Sequence, residues 1–352
     1  MAPPPAALPR HPGGRPGRTR RALDPRGPDR PPAGPPRAPA HPRHVRGEPV
    51  KHRPKHVVEY VLLRAVCGLI ARLPYRLALA LAWGLAHLAF SVFRWRRREA
   101  IRRIRQVFGE SLSPRQVRRI AWHSLRNTAF NLAEMIYMGG ARPRTLPGLD
   151  GLETSIGRFR SYVSAHPGRG GICACPHTGN WELAGLAAPA GGIDLFTITG
   201  LQKNPLVNAY LQRLRHAPGL ELLPRGTPNL LRRVLANLRA GKFLAIMPDL
   251  RSRQAGVPVR FLGAEANLYP GTAQFARQAN IPIFLAVMKR HGWTRHTLDL
   301  HGPFEPDPAL SKDDDIRRLT QTVMDILDTE IRRDPAQWFW YNKRWILDPP
   351  DA

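Results

Sequence analysis

A chain of 352 residues with 43% hydrophobic side chains can hold one large α/β domain with appendages or two modest domains, which excludes a wholly disordered chain. Lys and Arg total 54 against 26 Asp and Glu, a net charge of +28, so the expected neighbour is polyanionic: nucleic acid, an anionic membrane surface, phosphorylated lipid or an acidic carrier protein. The three cysteines, Cys67, Cys173 and Cys175, offer neither a C-x-x-C spacing nor a companion Cys/His cluster. A tetrahedral metal site or a disulfide framework is therefore not expected, and a reducing compartment is.

Residues 1–55 hold 16 of the 37 prolines and 13 Lys and Arg against 3 Asp and Glu. With almost no large apolar side chains to offset ordering entropy, this arm is predicted to be disordered. Residues 56–98 read as a hydrophobic helical membrane module. The segment 57–73 is apolar but interrupted by Glu59, Arg64 and Arg72, whereas the 17-residue run 77–93 has only His87 as a strongly polar side chain. That length is at the lower limit for crossing a bilayer. Arg94, Arg96, Arg97 and Arg98 follow at once and would hold the rest of the chain on the cytoplasmic side. An anchor, spanning or interfacial, is the expectation.

Residues 99–144 carry Ile101, Ile104, Phe108, Val117, Ile120 and Leu125 near three-to-four spacing with arginines between, the pattern of basic amphipathic helices. Ser113-Pro114 starts one of them, with Ser as cap and Pro in the first turn. From 145 to 349 short apolar runs alternate with helical periodicity. Strands are predicted at 171–175, 195–199, 243–247 and 283–288, and helices at 181–187, 204–215, 229–239, 271–279 and 315–332. Such alternation implies an α/β sheet flanked by helices.

The most informative stretch follows the strand at 171–175: Pro176-His177-Thr178-Gly179-Asn180-Trp181-Glu182. Active-site groups favour strand-to-helix ends of open α/β sheets. On a straight helix an offset of five residues turns two side chains about 140° apart, so His177 belongs in the turn and Glu182 in the first helical turn beyond it. A carboxylate bonded to one imidazole nitrogen fixes the tautomer and leaves the other nitrogen to take a proton from a hydroxyl. No G-x-S-x-G occurs, so a serine hydrolase is not indicated.

The line His177-Thr-Gly-Asn-Trp-Glu-Leu-Ala-Gly185 resembles the catalytic motif of the late (lauroyl and myristoyl) acyltransferases of lipid A assembly, themselves similar to glycerol-phosphate acyltransferases. Three further segments match in order: Lys203-Asn-Pro-Leu206 running to Arg215; Met247-Pro-Asp249-Leu-Arg251 leading to the segment 257–263; and Pro335-Ala-Gln337-Trp338 running to Arg344. The resemblance spans residues 74–349. It implies a glycerol-phosphate-acyltransferase-like sheet and a His-x4-Glu enzyme that moves a fatty acyl chain from acyl carrier protein or coenzyme A to a hydroxyl of a lipid A precursor or similar anionic glycolipid. The setting would be the cytoplasmic face of the inner membrane. His177 would be the general base and Glu182 its orienting partner, with Asn180, Asn204, Arg215, Asp249 and Arg251 as substrate-binding candidates. Arg215 would serve an oxyanion or a lipid phosphate. Neither metal nor cofactor is implied.

Departures from the family pattern fall after Asp249, where Leu250-Arg251-Ser252 stands, and at Gly200-Leu201 ahead of the Asn204 motif; both bear on the acceptor. A phosphatidylinositol mannoside acyltransferase-like activity is the alternative within the family. The alternative outside it is a basic nucleic-acid-binding protein that uses the aromatic run 338–345 as a stacking platform.

Overall fold

The computed structural model describes residues 53–139, 148–216, 219–254 and 256–348. The expected disorder of residues 1–55 falls almost wholly outside them.

The described chain opens on α1 (Pro54–Arg72), α2 (Tyr75–His87, extended by a wider turn at Leu88–Val92), α3 (Arg97–Phe108) and α4 (Pro114–Gly139). Pro74 ends α1 and starts α2, because proline cannot continue the helix before it but suits the first turn of the next. The start of α4 is a capping box: the Gln116 amide donates to Ser113 Oγ at 3.4 Å and the Ser113 amide donates to Gln116 Oε1 at 2.8 Å. Tyr75–Val92 is the one stretch among the described residues long and apolar enough to cross a membrane, and 33% of it is buried inside the protein.

The α3–α4 pair is amphipathic with a basic outer face: Arg98, Arg102, Arg105, Arg115, Arg118 and Arg119 are exposed. Ile104, Val117, Ala121 and Leu125 are in the core, and Arg103 is buried with them. Its Nη1 donates to the carbonyls of Trp340 and Asn342 at 2.8 and 2.7 Å, and its guanidinium stacks on Trp345. Trp338, Trp340, Tyr341 and Trp345 are at most 4% exposed. A stacking platform for bases must be accessible, so the nucleic-acid alternative loses its structural basis.

After α5 (Asp150–Ala165) come β1 (Gly171–Ala174), α6 (Trp181–Ala190), β2 (Leu195–Thr199), α7 (Pro205–Leu214), β3 (Leu220–Pro224), α8 (Leu230–Arg239) and β4 (Phe243–Ile246). A separate hairpin, β5 (Val257–Phe261) and β6 (Ala264–Leu268), leads to α9 (Gly271–Ala279), β7 (Ile283–His291), β8 (Arg295–Phe304) and α10 (Lys312–Arg333). The main sheet has the order β3-β2-β4-β1-β7-β8, parallel except for β8, which runs antiparallel to β7. Every residue of β1 is buried, as befits a central parallel strand covered on both faces. β4 pairs with β1 in register from Gly171↔Phe243 to Ala174↔Ile246. The C-terminal ends of these two strands therefore emerge side by side although dozens of residues separate them in sequence.

Candidate active site

Beyond β1 the chain turns through Pro176 and His177; beyond β4 it runs through Met247 and Pro248 to Asp249. His177 Nδ1 lies 2.9 Å from Asp249 Oδ1, and the His177 amide donates to Asp249 Oδ2, also at 2.9 Å. Trp338 Nε1 donates to the same Oδ2 at 2.8 Å. Asp249 is 3% exposed. Three donors thus converge on one buried carboxylate, which fixes the imidazole ring and keeps its Nδ1 protonated. Burial pushes the His177 imidazole toward a lower pKa, but the Asp249 charge and hydrogen bond outweigh it and raise the pKa above its ordinary value. Burial likewise pushes the Asp249 carboxyl up, and His177 and the Trp338 donor more than reverse this, holding it below its ordinary range.

The partner of His177 is therefore Asp249, and the expectation that Glu182 orients the ring is corrected. Glu182 is held by Arg215 instead, in a forked pair: Nη2 to Oε1 at 2.6 Å and Nε to Oε2 at 3.0 Å. The five-residue offset from His177 explains this, since Glu182 belongs to α6 and looks toward the end of α7, where Arg215 is the terminating residue. Arg215 is paired with this acid, whereas Asp249 holds the His177 ring and amide.

Asn180 and Asn204, both expected to touch substrate, are helix caps. Asn180 is fully buried; its Oδ1 accepts the Leu183 amide at 3.0 Å, and its Nδ2 donates to Glu134 Oε2 at 2.5 Å. Asn204 Oδ1 accepts the Leu206 amide at 3.0 Å, while its Nδ2 reaches the His56 carbonyl at 2.9 Å and Glu59 Oε2 at 3.0 Å. These bonds use both ends of each amide inside the protein, which corrects the substrate-binding reading. Arg251 is buried at a backbone bridge to Leu268 of β6.

The turn itself is tightly held. Gly179 has φ +51°, and a Cβ there would lie 2.3 Å from the Met288 carbonyl oxygen, so glycine is required. The segment 337–339 straps the turn from outside: the Gly179 amide donates to the Gln337 carbonyl at 2.9 Å and the Phe339 amide to the His177 carbonyl at 3.0 Å. Asn131 of α4 donates its Nδ2 to the Gly179 carbonyl. Gln337, Trp338 and Asn131 were not among the sequence candidates. The resemblance at 335–344 marked the first two as a matching segment, but nothing local in the sequence marks Asn131.

Beside the turn lies a cavity of about 180 Å³ between α6 and strands β2, β3 and β4. Its walls include Leu186, Ile198, Leu220, Leu222 and Met247, with Trp181 and the Glu182–Arg215 pair on the side nearest His177. The Trp181 ring is 5.1 Å from the His177 ring. Cys173 and Cys175 are buried free thiols with sulfurs 3.6 Å apart. Contact with Cys173 and burial raise the Cys175 pKa well above normal, the condition of an inert thiol. No group of three or more His, Cys, Asp or Glu that could hold a metal ion occurs among the described residues.

Comparison with known proteins adds an independent line. The family model described as bacterial lipid A biosynthesis acyltransferase matches residues 49–346. Among curated proteins, the phosphatidylinositol mannoside acyltransferase of Mycobacterium tuberculosis is 26% identical over 210 residues, 58% of this chain and 61% of that protein. Its namesake in Mycolicibacterium smegmatis is 27% identical over 194 residues, 52% of this chain and 59% of that protein. The matches span about three fifths of the length of these relatives.

Proposed function

The chain belongs to the bacterial lipid A biosynthesis acyltransferase family, and on that premise we propose that it transfers a fatty acyl chain from an acyl thioester to a hydroxyl of an anionic membrane glycolipid. The observation that carries this reading is the His177–Asp249 pair at the adjoining ends of β1 and β4. With Nδ1 committed to Asp249, Nε2 is the nitrogen available to an incoming hydroxyl. The hydroxyl proton passes to Nε2 as its oxygen attacks the thioester carbonyl carbon. The carbon–sulfur bond then breaks, and the proton leaves with the thiolate sulfur. Asp249 stabilises the imidazolium formed between these steps.

The apolar cavity receives the acyl chain: a void of roughly 150 Å³ lined by aliphatic side chains takes a small hydrocarbon group. Arg215, with Nε and Nη2 on Glu182, keeps Nη1 for the thioester oxygen or a lipid phosphate. The acceptor is a lipid A precursor or, as the relatives' names favour, a mannosylated phosphatidylinositol. The donor is acyl carrier protein or coenzyme A thioester. The test is mass spectrometry of products from each donor paired with each acceptor, with His177→Ala alongside. Acylated glycolipid from wild type alone is expected; thioester hydrolysis without acylation, or equal product from His177→Ala, overturns the reading.

The enzyme works at the cytoplasmic face of the inner membrane, seated through α1 and α2. Val58, Leu62 and Leu69 on α1, and Leu77, Leu85 and Leu88 on α2 with its extension, are exposed, and clustered exposed apolar side chains of this kind suit a lipid contact. Arg94 and Arg98 beside it suit anionic headgroups. Replacing Leu62, Leu69, Leu77 and Leu85 by Gln should release the protein from neutral liposomes in flotation. Replacing Arg94 and Arg98 by Gln should weaken only the salt-sensitive part on anionic ones. Unchanged flotation of the Leu variant would remove α1 and α2 from the membrane contact.

A further inference from the structure

Glu134, toward the C-terminal end of α4, is 0% exposed, and acyl transfer as described above makes no use of it. Its carboxylate gathers donors from three elements and the catalytic turn. Tyr75 at the start of α2 donates its hydroxyl to Oε1 at 2.6 Å. Arg290 of β7 donates Nη1 to Oε1 at 2.8 Å and Nη2 to Oε2. His296 Nε2 of β8 lies 3.2 Å from Oε1, and Asn180 Nδ2 donates to Oε2. Burial would push this carboxyl up, but Arg290 and the hydrogen bonds hold it down at about 2, so it stays ionised throughout the physiological range. Arg290 Nη2 also donates to Asn131 Oδ1 at 2.9 Å, and Asn131 Nδ2 reaches the Gly179 carbonyl.

Both residues between Thr178 and Trp181 are thereby gripped by one buried ion pair. The chemistry of the Asn180 amide explains why a carboxylate is needed there. Asn180 caps α6 only if its oxygen faces the Leu183 amide, which turns its NH₂ inward. A buried acceptor locks that orientation, whereas a donor would favour the flipped amide and break the cap. Glu182, two residues on, takes its direction from the first turn of α6.

We propose that Glu134 is a positioning residue for acyl transfer: by accepting Asn180 Nδ2 it sets the start of α6, and hence the spacing between His177 and the Glu182–Arg215 pair, and through Tyr75 it ties that spacing to the seating of helix α2. The inference rests on the reading of His177 as the base.

The test uses Glu134→Gln, Asn180→Asp and the double substitution in the full chain, with turnover and KM for the thioester measured per folded molecule. The double substitution exchanges donor and acceptor but keeps one hydrogen bond between the positions and one carboxylate in the cluster. Each single variant should lose about tenfold or more in kcat with KM little changed, since a misplacement of about 1 Å costs roughly 100-fold. The double variant should recover most of that loss. A folded Glu134→Gln with wild-type kcat, or a double variant as slow as the slower single, overturns the proposal.

Should the singles fail to fold, Tyr75→Phe decides. It keeps the ring packing and removes one donor, so it should lower kcat by about threefold at unchanged KM; wild-type kcat would overturn the proposal. His177→Ala separates the two failures. If it turns over normally, the catalytic reading of the turn falls; if it is inactive while a folded Glu134→Gln is normal, only the positioning role falls.

Discussion

Asp249→Asn is the sharpest perturbation of the site, because the carboxylate receives three donors, His177 N, His177 Nδ1 and Trp338 Nε1, in a place only 3% exposed. An asparagine has one acceptor oxygen and one NH₂ there, so either one of the three donors faces another donor with no water to replace the loss, or the His177 ring gives up its Nδ1 proton to accept from the NH₂. Leaving one such group unsatisfied costs about 1–3 kcal/mol of stability. The chemical loss is larger. Without the charge the imidazolium is no longer stabilised, and the amide can turn the ring to the wrong tautomer, a change worth roughly 10²- to 10⁴-fold in turnover where a histidine acts as general base. The pH profile carries a second signature. Activity needs neutral His177, whose pKa Asp249 raises, so the acid limb of kcat/KM in wild type should lie above about pH 6.5. With Asp249 neutralised, burial acts on the ring unopposed and the limb should move to lower pH. Steady-state acyl transfer between pH 5 and 9, with thermal melts on the same samples, measures both. A folded Asp249→Asn variant within threefold of wild-type turnover, with an unmoved acid limb, would refute the assignment of Asp249 as the partner of the base.

The same pair should leave a mark on stability. The raised His177 pKa contributes fully below about pH 6.5 and is lost as pH rises through the folded value, while the lowered Asp249 pKa contributes above about pH 4 and is lost as pH falls through its folded value. The difference in Tm between wild type and Asp249→Asn should therefore be greatest between about pH 4 and 6.5, and a flat difference across pH would count against the linkage. Gly179→Ala forces a Cβ to 2.3 Å from the Met288 carbonyl at a φ of +51°; a loss of about 2 kcal/mol or more in denaturant unfolding is expected, and a neutral result would mean the turn adjusts freely. Glu182→Gln breaks a pair whose side chains are 21% and 29% exposed, so its stability cost should stay under about 1 kcal/mol. Its effect should appear in kcat/KM as Arg215 loses its anchor, and an unchanged kcat/KM would make the pair a surface bridge.

The strands at 171–175, 195–199, 243–247 and 283–288 and the helices from 181 to 332 were legible because a buried parallel strand reads as a short apolar run and a covering helix reads at period 3.6. β8 was not. Its sequence Arg-His-Thr-Leu-Asp-Leu-His alternates as an edge strand does, with no apolar run to mark it. The hairpin β5–β6 carries Pro258 and charged residues at its outward positions and so reads as loop. In the site, the placement of His177 in the turn after β1 was legible from the strand-turn-helix pattern. The His177–Asp249 contact was not, because it depends on β4 inserting between β2 and β1, an order no local pattern encodes. Proximity in sequence favoured Glu182, five residues away; strand order delivered Asp249, 72 residues away. Asn180 and Asn204 were misread for a related reason, since an asparagine ahead of a helix in a matching motif serves equally as cap or ligand, and burial decides between them.

Strand order has a counterpart in the helices, and it bears on how the chain meets a bilayer. Tyr75, Ala78, Leu79, Ala82 and Ala86 are buried and form one stripe of α2 at helical spacing, the first four packed in a cluster with Phe130, Ala133 and Ile136 of α4. Trp83 and His87 meet Trp122 farther up α4. The two helices therefore lie side by side, and α2 cannot enter the hydrocarbon core without drawing α4 with it. The next turns of α4 toward its start expose Arg115, Arg118 and Arg119, each of which costs about 2.5–3.5 kcal/mol or more at the centre of a bilayer. Its far end is bound through Asn131 and Glu134 to the turn that holds His177. A spanning α2 would break the Tyr75–Glu134 hydrogen bond or submerge those arginines. An α2 lying in the interface costs neither: it presents Leu77, Leu85 and Leu88 to lipid while Tyr75 stays on Glu134. For a chain that meets a bilayer through α2, as proposed above, the packing favours the interfacial form of the anchor over the spanning one.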